Sequence, residues 1–128
     1  MNNFDGLKKQ LLQFRDERNW QQFHTLKNLI ISVNLESAEL LELTQWKTDE
    51  QLAALKSDDS FQQALRDECA DVLMYLMLVA HEGGFDLVQA AEEKIKKNAV
   101  RYPVDQAYGT ATKYTEFDAA QQSEPDSA

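Results

Sequence analysis

FQQALRDECADVLMYLMLVAHE, residues 61–82, decides the fold. From Val72 to Ala80 it is apolar on nearly every side apart from Tyr75, which suits a helix surrounded by neighbours and not one lying on a surface. The run is far shorter than a membrane span. Ser60 and Gln63 form a capping-box pattern that opens this helix, and Gly83 and Gly84 close it by permitting left-handed backbone angles.

Working outward, Asp86 and Gln89 open a further helix through AAEEKIKKNAV to about Arg101, with Pro103 as its stop. On the other side, Thr48 and Gln51 mark a short helix ending near Leu55, and Lys56 to Asp59 is a polar turn. Thr25 caps a helix that the pattern carries to about Trp46, with Leu26, Leu29, Ile30 and Val33 as its apolar face. Leu7 to about Arg18 reads as the first helix, its Leu7, Leu11 and Phe14 sharing a face, and Asn19 is its stop. The expectation is an all-α fold: a four-helix bundle-like core with a short extra helix, oligomeric because one helix is too apolar for a short bundle to cover. Residues 1–104 form the domain, and residues 105–128 read as an extended or disordered acidic C-terminal tail with no periodic apolar face.

Composition narrows the function. A net charge of -9 argues against binding a nucleic-acid polymer through diffuse electrostatics, so a phosphate ligand needs a metal intermediary. One cysteine, Cys69, excludes an internal disulfide and suits a reducing compartment. With neither a signal-like start nor a membrane span, the expected location is cytoplasmic.

The informative anomaly is acid inside apolar stripes. Positions 29, 33, 36, 40 and 43 share one helix face and read Leu, Val, Glu, Leu, Leu; positions 65, 68, 72, 76 and 79 read Leu, Glu, Val, Leu, Val. Each intruder has a carboxylate three residues on, Glu39 after Glu36 and Asp71 after Glu68, and such neighbours share a helix surface. Helices carry many solvated Glu residues, and E-x-x-E spacing alone is common. Interruption of two separate stripes favours a site where a cation offsets converging like charges. All-oxygen ligands point to magnesium, or manganese, over zinc. A di-iron bundle would need Glu-x-x-His, whereas Gln21 precedes His24 and Leu78 precedes His81 at that spacing. Glu42, one turn further, is a fifth ligand, a base that activates water, or a surface residue.

Together, ESAELLE (36–42), ECAD (68–71), ERNWQQFH (17–24), Gln45-Trp46-Lys47, DVLMYL (71–76) and EKIKKNAVRYPV (93–104) resemble the MazG-like all-α nucleotide pyrophosphohydrolases, closest to their dCTP pyrophosphatase branch. The resemblance implies magnesium-dependent hydrolysis of a deoxynucleoside triphosphate, dCTP or a modified dCTP favoured, to the monophosphate and pyrophosphate. It implies metal held by Glu36, Glu39, Glu68 and Asp71, with Glu36, Glu39 and Glu42 catalytic. Trp20, His24, Trp46 and Tyr75 would shape the base and sugar pocket, and Lys94, Lys97 and Asn98 would approach phosphates or sugar. Tyr75, one turn after Asp71, lies on the correct face for this. Core packing is the competing reading for the tryptophans, and a solvated basic stripe for the lysines. A homodimer or homotetramer is the expected assembly, a house-cleaning or pool-balancing role the expected purpose. The alternatives are a non-catalytic acidic helical interaction module and a pyrophosphohydrolase acting on another nucleotide such as dUTP.

Overall fold

The computed structural model describes residues 3–111 and 115. It is all-α, with no strand among the described residues: α1 (Asn3–Glu17), a 3-10 turn (Gln21–Phe23), α2 (Leu26–Glu42), α3 (Asp49–Leu55), α4 (Asp59–Gly83), α5 (Leu87–Arg101) and α6 (Val104–Ala107). The chain divides into two compact units, Met1–Phe85 and Asp86–Ala128.

In the first unit the dominant packing is α2 against α4. Among the described residues its buried apolar positions are few: Leu29 on α2, and Met77, Leu78 and Ala80 on α4. The apolar run of α4 is therefore only partly covered within one chain, and Leu73 and Leu76 stay 40% and 37% exposed. Ile30, Ile31, Leu35 and Leu41 of α2 are also exposed.

Most helix boundaries follow side-chain chemistry. Thr25 accepts the Asn28 amide at 3.1 Å, and Thr48 and Gln51 form the reciprocal capping box. Asn19 takes a left-handed φ of 55°, which a short polar side chain tolerates, and so separates α1 from the 3-10 turn. Gly84 closes α4 at φ 76°, its amide returning to Ala80 and His81 carbonyls. Asp86 caps α5 through the Gln89 amide.

Four boundaries differ from the sequence reading. α1 begins at Asn3, one turn before Leu7. The cap of α4 is Asp58, not Ser60: in the run Ser57-Asp58-Asp59-Ser60 every residue can cap, and Asp58 wins by accepting the Phe61 amide at 2.8 Å while Gln62 bonds the Lys56 carbonyl. α2 ends at Glu42, not Trp46. Beyond it the Thr44 and Lys47 side chains bond the Leu41 and Leu43 carbonyls, and the chain tightens into turns. In the second unit the extended segment expected from Asp105 starts with a helical turn, because Pro103, which cannot continue α5, offers its carbonyl to the Gln106 and Ala107 amides. The rest of the expected tail, residues 112–114 and 116–128, lies outside the described residues.

Candidate active site

Packing α2 on α4 turns two sequence-local acid pairs into one cluster. Glu36, Glu39 and Glu68 each offer a carboxylate oxygen within 4.8 Å of the others. Two unit charges at that spacing repel by about 0.9 kcal/mol in water and about 3.5 kcal/mol at an effective dielectric of 20. Glu36 and Glu68 are half-buried, and one oxygen of each is enclosed without a hydrogen-bond partner.

The electrostatics register this crowding. Burial first, then a proton-sharing contact with Glu39 and the charges of Glu39, Asp71 and Glu68, push the Glu36 carboxyl up to about 7. Burial likewise raises Glu68, aided by Glu39, Asp71 and Asp67. Buried polar groups are normally satisfied, so two orphaned carboxylate oxygens facing like charge form an acceptor set that a hard cation would complete. Asp71 lies outside the 4.8 Å cluster, yet its charge acts on both Glu36 and Glu68, and its side chain lines the neighbouring cavity. Glu42 is exposed one turn beyond Glu39.

That cavity, of about 420 Å³, lies within the first unit between α1, the 3-10 segment and α4. Leu7, Leu11 and Phe14 line one side, Met74, Tyr75 and Leu78 another, with Trp20 and His24 between and Asp71 at the carboxylate end. Phe14 and Trp20 meet edge to face, centroids 5.6 Å apart, and the Arg18 guanidinium sits 3.8 Å from the Phe14 centroid. Phe14 is thus held by contacts with both Trp20 and Arg18. Burial, then the Arg15 charge, lower the His24 pKa, against a weaker opposing pull from Glu82. Its Nδ1 is enclosed without a partner.

The structure therefore brings Trp20, His24 and Tyr75 to one cavity next to the acids. Trp46 is elsewhere, 86% exposed in the turn after α2. Lys94, Lys97 and Asn98 are exposed on α5 in the second unit. Sequence reading missed as lining residues Gln10, Arg15 and Met74, and the apolar Leu7, Leu11, Phe14 and Leu78, the first three of which read only as a helix face. Arg15 carried a legible signal, standing four residues after Leu11 and eight after Leu7 on the same apolar face.

Comparison with known proteins agrees with this arrangement. The MazG-like family matches residues 31–117, more than half of the chain. The chain is 40% identical over 105 residues to dCTP pyrophosphatase 1 of Mus musculus and 39% identical to that of Homo sapiens, in each case over 82% of this chain and 62% of the relative. It thus spans less than two thirds of the length of these curated relatives. Among solved structures, a pyrophosphatase from Archaeoglobus fulgidus matches at a TM-score of 0.73 and 35% identity, over 80% of this chain and 94% of that one. Fold, acid-bearing helix pair and sequence similarity converge: the chain belongs to the MazG-like family.

Proposed function

We propose that this protein hydrolyses a deoxynucleoside triphosphate, dCTP or a modified dCTP, to the monophosphate and pyrophosphate. The observation that carries it is the juxtaposition of two orphaned carboxylate oxygens, on Glu36 and Glu68, with a cavity of nucleoside size that begins at Asp71. The name of the curated relatives supplies the cytosine preference.

Glu36, Glu39, Glu68 and Asp71 would hold magnesium, with manganese as a substitute of the same ligand preference. Bound there, the ion would neutralise phosphate charge and lower the barrier to attack at phosphorus. The rest of the work falls to the chain. The aromatic wall of Phe14 and Trp20 takes the base, and Tyr75, one turn from Asp71, positions the sugar-phosphate end. Water attacks phosphorus in line with departing pyrophosphate, and its proton passes to a carboxylate. Glu39, exposed and adjacent to both half-buried acids, would orient that water, with Glu42, one turn further, as an outer acceptor. For Lys94, Lys97 and Asn98 of α5 the proposed role is contact with phosphates or sugar.

The uncovered apolar residues of α2 and α4 support a homodimer or homotetramer, because exposed patches of this kind mark contact surfaces. Trp46, prominent on the surface of one chain, would then serve the pocket of an assembled oligomer. Pool control by such an enzyme belongs in the cytoplasm, where free Cys69 stays reduced. Among the described residues no helix is long and apolar enough to cross a membrane.

A pyrophosphate-release assay over the natural and modified deoxynucleoside triphosphates with magnesium tests the proposal. Turnover of dCTP that falls at least 100-fold in Glu68→Gln is expected. Absence of release from every nucleotide would leave the acidic interaction module as the better reading.

A further inference from the structure

Arg15 is the one polar or charged residue buried among the described residues, 6% exposed, and it lines the cavity that the proposed reaction fills with a base. Its Nε donates to Asp16 Oδ1 at 2.8 Å, and Nη2 forms an ion pair with the same oxygen, also at 2.8 Å. Among the described residues the guanidinium makes no other hydrogen bond. Nε and Nη2 occupy one edge of the planar group, so the end-on edge keeps two parallel N–H donors, from Nη1 and from the second hydrogen of Nη2. Nη1 has no protein partner among the described residues and is not sealed from solvent, so its donors are open to water or to a ligand in the cavity. The guanidinium charge also acts on His24, which lines the same cavity.

A fork of two parallel donors fits two acceptors carried on one carbon atom, as in a carboxylate. Cytosine presents that pattern at N3 and O2, both acceptors on C2. Uracil and thymine carry a hydrogen on N3, which would point at an Arg15 donor and leave both groups unsatisfied. A methyl group on C5 leaves the N3 and O2 edge untouched.

Resting on the deoxynucleoside triphosphate reading above, we propose that Arg15 is a specificity-determining residue whose end-on guanidinium edge reads N3 and O2 of cytosine. Asp16 is then a positioning residue that fixes the fork from its outer edge.

The test compares kcat/KM, with magnesium, for dCTP, 5-methyl-dCTP, dUTP and dTTP in the wild type, Arg15→Lys and Arg15→Met. The lysine variant keeps the charge without the fork, and the methionine variant keeps the apolar stem. The dCTP to dUTP ratio should fall about 10- to 100-fold in both, mainly through loss of dCTP turnover, the size expected for one bidentate pair. In the wild type, 5-methyl-dCTP should match dCTP within a few-fold. If either variant fails to fold, 3-deaza-dCTP, which lacks the N3 acceptor, decides on the wild type alone: it should be turned over at least 10-fold less well than dCTP. Equal turnover of 3-deaza-dCTP, an unchanged ratio, or a uniform loss on all four substrates would overturn the assignment while leaving the hydrolase reading intact. A wild type that releases pyrophosphate from no nucleotide would overturn the hydrolase reading and this assignment together.

Discussion

Replacing Glu36 by Gln should stabilise the metal-free protein while destroying its response to metal. The folded state holds the Glu36 proton until about pH 7, whereas an unconstrained carboxyl releases it near 4.5. A group whose folded pKa is raised contributes stability that is complete below about 4.5 and is lost as pH rises through 7. At about 1.36 kcal/mol per tenfold change in proton affinity, the interval from 4.5 to about 7 sets a ceiling of about 3.4 kcal/mol, which solvent screening at a half-buried site reduces to about 1–2 kcal/mol. For a chain of 128 residues that corresponds to about 4–8 °C in Tm. The assay is thermal unfolding of wild type and Glu36→Gln from pH 4.5 to 8.5, in EDTA and in excess magnesium. Subtracting one protein from the other cancels the titration of carboxyls remote from Glu36, leaving Glu36 and the acids coupled to it. In EDTA the Tm advantage of Glu36→Gln should be near zero at pH 4.5 and complete by about pH 8. Magnesium should raise the wild-type Tm at pH 8, by mass action on the folded state, and leave the variant almost unmoved. A variant less stable than wild type at pH 8 in EDTA, or a difference independent of pH, would refute the argument that crowded like charges dominate this site.

Three further outcomes follow from other parts of the molecule. Trp20→Ala should raise KM for the preferred nucleotide about 10-fold with a smaller change in kcat, read by steady-state kinetics, because it removes stacking surface at one end of the cavity and no carboxylate at the other. Leu29→Ala should cost about 2–4 kcal/mol in urea unfolding, since Leu29 is 2% exposed and there are few other enclosed residues to close over the void. Asp58→Ala should cost about 1 kcal/mol while Ser60→Ala changes stability by less than about 0.5 kcal/mol; the reverse order would show that the cap is two residues later than the Phe61 amide indicates.

The all-helical class was legible because it rests on short-range chemistry. Thr25, Thr48 and Asp86 cap the helices they precede in sequence, and Gly84 ends α4 where a residue with a side chain would be strained. Where several local solutions compete, short-range reading loses resolution. Four successive capping residues stand before Phe61, and the choice of Asp58 over Ser60 depends on which amide each oxygen meets. The end of α2 shifted for a similar reason, since Thr44 can bond the Leu41 carbonyl and so favours a turn over helix continuation.

The acids divide in the same way. Spacing alone places Glu36 beside Glu39 and Glu68 beside Asp71, because residues three apart on a helix are neighbours whatever surrounds them. That three of them meet within 4.8 Å while Asp71 turns toward a cavity depends on how α2 lies against α4. No local pattern encodes that distance. Packing also decided that Arg15, in sequence only another charge near the end of α1, is buried with a half-used fork, and that Trp46 stands in solvent away from Trp20. The sequence by itself determined which residues are helical and which acids could act in pairs, because both depend on neighbours a few residues away. Only the tertiary structure decided which pairs converge and which side chains line the cavity beside them, because those outcomes depend on contacts between segments far apart in the chain.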